Sequence, residues 1–292
     1  MFRKFLLPVI LLPLLFYSCS QDPVDQGDNP DGLRLNECLS QTYLHTFEIV
    51  TWNVREFPIE KEKTIQLMAD IIKREDPDLI AFQEITSEAD FQTLIKSLPG
   101  WDGVTLTNSE LNPAFIFKLS EINWIGKAIP LFPDEKDAFP RTPLMISVEH
   151  HSGLQLFLIN IHLKCCSGTE NERRRKAAST MLKSYIDDKL SNEKVMILGD
   201  FNDELISSQG KANVFSNFMM DSLNYVFTDM KIAMGDPQYW SYPGWPSHLD
   251  HILITNELFE SQVFTKTLTY DLCDTSYLLK ISDHRPLMIQ LK

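Results

Sequence analysis

Asp200 and Asn202 stand two residues apart just beyond the apolar run Val195 to Leu198, in the segment KVMILGDFND. Alternate residues of an extended chain point the same way, so this carboxylate and carboxamide can both reach one metal ion or one phosphoryl group. Gly199 lets the backbone come close. An acidic turn after a core strand would look the same in isolation. The pattern recurs, however: Asn53 in TWNV, Glu84 in FQEI, His162 in NIHLK, Asp250 with His251 in LDHILI, and Asp283 with His284 in SDHRPL. Each follows or interrupts an apolar run, where an unpartnered buried charge costs several kcal/mol. Taken singly, Asn53 could cap a turn, Glu84 could pair with a lysine, and His162 could be a satisfied core histidine. Repeated coincidence at strand ends is harder to accept than one shared site. Hard oxygen donors of this kind suit Mg²⁺, Mn²⁺ or Ca²⁺; zinc draws more on thiolates or several histidines.

The elements that must position these residues alternate strand and helix at first. Residues 47–54 and 78–85 are nearly continuous apolar strands. Between them, residues 61–74 place Ile65, Met68, Ala69 and Ile72 on one helical face, and Pro77 stops the helix. Ser87 with Asp90 caps a second helix whose inner face is Phe91, Leu94, Ile95 and Leu98. Strands then follow at 114–119, 122–131, 144–149 and 154–163, with Ser152 and Gly153 as the turn of a hairpin. A long helix over 172–190 leads into KVMILGDFND. A helical piece at 212–220, an aromatic loop at 238–246 and strands at 248–255, 263–270 and 286–291 complete the chain. Hairpins mixed with helix crossovers predict an α/β (α+β) fold of two mixed sheets, face to face with helices outside, in one domain over residues 46–292.

The first residues read differently. Residues 1–18 have a basic start at Arg3 and Lys4 and an apolar run too short to span a bilayer comfortably, as an export signal does. The following Cys19 sits in a segment that resembles the lipobox of bacterial lipoproteins, so the expected mature protein is lipid-anchored through Cys19, in the periplasm or at the outer membrane or cell surface. Residues 19–45 are expected to be an acidic tether. The net charge of −13 opposes loose binding to polyanions and argues against a DNA-coating protein, but not against a hydrolase contacting a few phosphates. Four cysteines remain beyond Cys19: Cys38, Cys165, Cys166 and Cys273. A bond between adjacent residues is strained, so one of Cys165 and Cys166 is expected to pair with Cys273 or Cys38, with free thiols packed as small hydrophobes as the alternative.

TWNV, FQEI, NIHLK, GDFND, LDHILI and SDHRPL, in that order, resemble the motifs of the endonuclease/exonuclease/phosphatase superfamily. The resemblance implies a four-layer αββα sandwich with the active site at one edge, and a metal-dependent phosphodiesterase or phosphatase. It implies Glu84 as main metal ligand with Asn53 beside it and Asp283 across the site, taking Mg²⁺, or Mn²⁺ or Ca²⁺. Asp200 and Asn202 would orient water and phosphate. Asp250 would fix the tautomer of His284, the expected general base, with Asp200 as the alternative and His162 as general acid. Arg141 and Trp245 are expected at the substrate, together with Asn202; Trp240 and Tyr242 could stack there too. The basic run Arg173 to Lys176 is either neutralised by Glu170 and Glu172 or grips a polyanion. The expected substrate is extracellular nucleic acid, cut by a monomer. Inositol phosphates or phospholipids are the alternative, and a non-catalytic lipoprotein binding a phospho-ligand is a remote one.

Overall fold

The computed structural model describes residues 33, 35, 38, 39, 46–206 and 213–292. The export segment, Cys19 and most of the expected tether lie outside them. Twelve strands are present among the described residues: β1 (Phe47–Phe57), β2 (Leu79–Ile85), β3 (Trp101–Thr105), β4 (Asn112–Lys118), β5 (Ile122–Pro130), β6 (Leu144–His150), β7 (Gln155–His162), β8 (Val195–Asp200), β9 (Tyr225–Phe227), β10 (Asp250–Thr255), β11 (Gln262–Thr267) and β12 (Leu287–Leu291). They form two six-stranded sheets, ordered β11-β12-β1-β2-β4-β3 and β5-β6-β7-β8-β10-β9. β1 and β2 pair in parallel, as do β7 and β8, while the other pairings are antiparallel. A parallel pair needs a crossover. Helices α1 (Glu62–Glu75) and α3 (Thr169–Lys189) supply the two, and α2 (Glu88–Lys96) follows β2.

Both faces of each sheet are covered, which explains the unbroken apolar runs. Along β8, Met196 and Leu198 enter the core between the sheets, whereas Val195 and Ile197 pack outward with Ala178, Leu182 and Ile186 of α3. Along β1, Ile49 faces the other sheet, and Val50 and Trp52 face α1 and α2. The result is the αββα sandwich expected from the sequence. Ser87 accepts a hydrogen bond from the Asp90 amide at the start of α2, as its cap should.

Several expectations are corrected. Leu33 and Leu35 are buried in the core and Cys38 is disulfide-bonded to Cys273, so the packed body reaches back into the expected tether of residues 19–45. Cys165 and Cys166 are free thiols, contrary to the expected pairing. β3 and β9 were not foreseen: one is only partly buried and the other is three residues long, too short for a period to register. Residues 263–270 do not remain one strand to the end, since Tyr270 opens a short helix, Tyr270–Cys273.

Candidate active site

Strand register delivers the polar residues to one edge. Asn53 pairs with Gln83 across β1 and β2, which leaves Glu84 as the next residue outward. In the other sheet Asp200 pairs with both His162 and Asp250. Gly199, at φ +144°, is required there, because a Cβ would lie 2.0 Å from the Ile161 carbonyl oxygen. Glu84 (φ +70°) and Asn202 (φ +54°) also take left-handed backbone, and such strain often accumulates where geometry is dictated by a site.

The Asn53 amide joins the sheets. Its Nδ2 donates to Glu84 Oε1 at 3.1 Å and to Asp200 Oδ2 at 3.0 Å. Beneath it, Gln83 Nε2 donates to Asn160 Oδ1 at 2.9 Å and to Thr51 Oγ1 at 3.0 Å, a buried polar bridge between the two inner faces. Glu84 Oε2 accepts from the Glu56 amide at 2.9 Å. His162 Nε2 lies 3.4 Å from Asp200 Oδ2 and 3.8 Å from Glu84 Oε1. His284 Nδ1 meets Asp250 Oδ2 at 2.7 Å, and its Nε2 is 4.0 Å from Asp200 Oδ2. Asn53, Glu84, His162, Asp200, Asp250 and His284 thus converge, drawn from five strands and the loop before β12.

The site carries a surplus of acid. Burial pushes the Asp200 carboxyl up to about 7; His284 and the Asn53 hydrogen bond hold it down, while Asp250 and Glu84 push it further up. Burial opposes charge on His284 too, but Asp250, with Asp200 and Asp283, raises its pKa to about 10. His162 is held well below its ordinary value by burial and by Arg141 and His284. Asp250 Oδ1 and His162 Nδ1 have no hydrogen-bond partner. Oxygen donors crowded until one carboxylate resists ionisation are a fitting environment for a hard divalent cation.

The remaining expected residues stand further out. Asn202 donates through Nδ2 to the Leu163 carbonyl at 3.2 Å, and its amide donates to Asp200 Oδ1 at 2.9 Å. Arg141 also donates to the Leu163 carbonyl, at 3.2 Å. Asp283 lies at the rim, 3.9 Å from Arg55 Nε. Trp245 is 78% exposed, whereas the Tyr242 ring packs on His284 with centroids 4.9 Å apart. Trp240 Nε1 donates to the Ile232 carbonyl. In the basic run, Arg173 pairs with Glu170 and Asp137, Arg174 with Asp137, and buried Arg175 with Asp203.

Further buried polar residues support the loops. Ser282 Oγ donates to the Asn53 carbonyl at 2.6 Å and accepts from the His284 amide at 2.9 Å. Buried Arg285 forms a two-pronged pair with Asp271 and donates to the Gln238 and Trp240 carbonyls. Asp229 Oδ2 meets both His248 Nε2 at 3.0 Å and His251 Nδ1 at 2.6 Å.

Known proteins share this fold. A curated relative, an uncharacterized protein of Acanthamoeba polyphaga mimivirus, is 27% identical over 259 residues, covering 78% of this chain and 91% of its own. D. rerio TDP2 complexed with a single-strand DNA product superposes with a TM-score of 0.67 at 14% identity, covering 85% of this chain and 99% of that one. The human nocturnin catalytic domain gives 0.63 at 21% identity, covering 85% and 94%. The mannosyl-6-phosphatase of Bacteroides thetaiotaomicron gives 0.63 at 14% identity, covering 84% and 99%. The model of the Endonuclease/Exonuclease/phosphatase family matches residues 50–284, from within β1 to the histidine that Asp250 orients, and the chain belongs to that family of hydrolytic enzymes.

Proposed function

We propose that the protein is a divalent-cation-dependent phosphodiesterase acting on nucleic acid outside the cytoplasm, with Mg²⁺ as the cation. The reading rests on one observation: Asn53 ties Glu84 of one sheet to Asp200 of the other, beside the Asp250–His284 pair. Glu84 and Asn53 would hold the cation, with Asp283 at the rim as a further ligand. When bound, the cation would neutralise charge on the phosphoryl oxygens.

Asp200 acts as general base toward the attacking water. Its amide bond from Asn202 and its side-chain bond from Asn53 fix both oxygens, and a carboxyl titrating near neutrality suits proton abstraction at working pH. This is the alternative named above, preferred here to His284, because an imidazole with a pKa of about 10 is protonated at neutral pH. His284 instead donates its proton toward the leaving oxygen, and Asp250 keeps it charged and oriented. Neutral His162 and the Asn202 amide serve as hydrogen-bond donors, while both Nδ2 hydrogens of Asn53 stay on Glu84 and Asp200. Arg141 supplies positive charge toward the substrate, and Tyr242, with exposed Trp245 further out, offers a surface for a base or sugar.

Support for nucleic acid comes from the D. rerio TDP2 likeness and from the aromatic face beside His284. A second reading, a small inositol phosphate or a phospholipid headgroup, draws on the likeness to the mannosyl-6-phosphatase; the net charge of −13 opposes loose binding of either kind of anion. Residues 1–18 as export signal, lipid on Cys19 and a monomeric catalytic domain complete the proposal. The test is turnover of plasmid DNA, RNA, sphingomyelin, phosphoinositides and bis-p-nitrophenyl phosphate with Mg²⁺, Mn²⁺ or EDTA, using Glu84→Gln as control. Mg²⁺-dependent cleavage of nucleic acid supports the first reading and activity confined to the lipids supports the second. Binding without turnover on every substrate overturns both.

A further inference from the structure

Among the described residues, two groups of histidine and carboxylate lie outside the catalytic constellation, and each brings its ligand-type atoms within 4.8 Å of one another. Their hydrogen bonds separate them. In the buried group, His248 Nδ1 accepts from the Ser241 amide at 3.2 Å, and its Nε2 faces Asp229. His251 places Nδ1 on Asp229 and Nε2 on the Asp203 carbonyl at 2.9 Å, and a carbonyl can only accept. Asp229 Oδ1 accepts from the Ile252 amide at 3.0 Å. Every ring nitrogen there is committed, so this group is a structural tie and offers no lone pair to a cation.

The other group is Glu121, His150 and His151, where β5 begins and β6 ends. Ile122 pairs with His150, and the His151 amide donates to the Glu121 carbonyl at 2.8 Å, so the sheet itself sets the three side chains together. The His151 imidazole contacts the Glu121 carboxylate through Nδ1. The two imidazoles lie 4.2 Å apart between centroids. His150 is 1% exposed and held by stacking on Phe47 at 4.6 Å; its Nδ1 meets Ser152 Oγ at 2.8 Å and accepts from the Ser152 amide at 3.3 Å, and its Nε2, which has no hydrogen-bond partner, lies 3.9 Å from Asp78 Oδ2. All three residues line a cavity of about 470 Å³ with Asp102, Asn123 and Trp124. β6 runs away from the catalytic edge, from Leu144 opposite Asn160 to His150, a distance of roughly 20 Å.

We propose that Glu121, His150 and His151 form a second cation site, for a borderline first-row divalent ion of the zinc class. Two imidazoles and a carboxylate are a donor set that zinc accepts and magnesium does not favour, which distinguishes this site from the oxygen-rich one at the other edge. Three protein ligands leave a fourth position, on the side of the cavity, for water or a small ligand.

Equilibrium dialysis of the full chain against Zn²⁺, followed by metal analysis, tests the site. The wild type binds one more zinc equivalent than His151→Ala, and Glu121→Gln weakens that equivalent by at least about tenfold. Glu84→Gln retains it, and His151→Ala keeps Mg²⁺-dependent hydrolysis of bis-p-nitrophenyl phosphate and its EDTA melting temperature. His151 is half-exposed, so its loss leaves the fold intact, and Glu121→Gln gives an independent reading. Identical zinc stoichiometry and affinity in the wild type and both variants overturns the proposal, as does a wild-type Kd above about 1 mM for the His151-dependent equivalent.

Discussion

Asp250→Asn separates an acid role for His284 from a base role. The substitution preserves a hydrogen-bond acceptor for His284 Nδ1 and removes the charge that opposes burial. A rise from 6.5 to about 10 represents roughly 5 kcal/mol of preference for the imidazolium, with Asp250 the largest favourable contributor, ahead of Asp200 and Asp283. Without the charge, the pKa of His284 should fall by about two or more pH units, leaving a tenth or less of the imidazolium at pH 9. The expected pH profile of kcat/KM on a dinucleotide phosphodiester, whose alkoxide leaving group needs the proton, therefore keeps its acid limb and loses activity on its basic side. The basic limb moves from near pH 10 toward neutrality, and lost orientation lowers the plateau by roughly 10². A general base would behave oppositely: the variant would gain relative activity at low pH, because the neutral imidazole would become more abundant. That outcome, or a basic limb unmoved by the substitution, refutes the assignment.

Three further substitutions test the scaffold. Gly199→Ala should lower unfolding free energy by more than about 2 kcal/mol in urea titration, because its Cβ meets the Ile161 backbone; Gly100→Ala, at φ +82° with nothing within 4 Å, should cost about 1 kcal/mol, and equal losses would contradict this. Asp229→Asn should destabilise most between about pH 4 and 6.5. Despite burial, the histidines depress the Asp229 pKa, so its contribution exists above the unfolded carboxylate value and is lost as pH falls through the lower folded one. His251 is raised against burial by Asp229, so its contribution is full below 6.5 and lost as pH rises through its folded value. Urea titrations at pH 5 and 9 that gave the same difference from the wild type would refute the pairing.

The convergent residues were legible because strand ends are marked by an abrupt change from apolar to polar residues. Asp200, Asp250 and His162 each close or open such a run, and the register then requires them to meet. Asp229 sits in an irregular segment, and Ser282 and Arg285, although within SDHRPL, carry no hint of what they touch; their partners His251, Asn53 and Asp271 are set by tertiary packing alone. The aromatic loop shows the same limit. Composition singled out Trp240, Tyr242 and Trp245 equally, yet only Tyr242 has its ring on His284. The disulfide spans a sequence separation of 235, beyond any local signal, and its choice left the adjacent thiols free.

The Cys38–Cys273 bond also decides where mechanical load enters the protein. With the proposed lipid on Cys19, tension on the leash would pass through sulfur into the segment after β11, sparing the end of β1 from being peeled out of its sheet. A thiol reductant would open that covalent route and leave the load on the packing of Leu33 and Leu35.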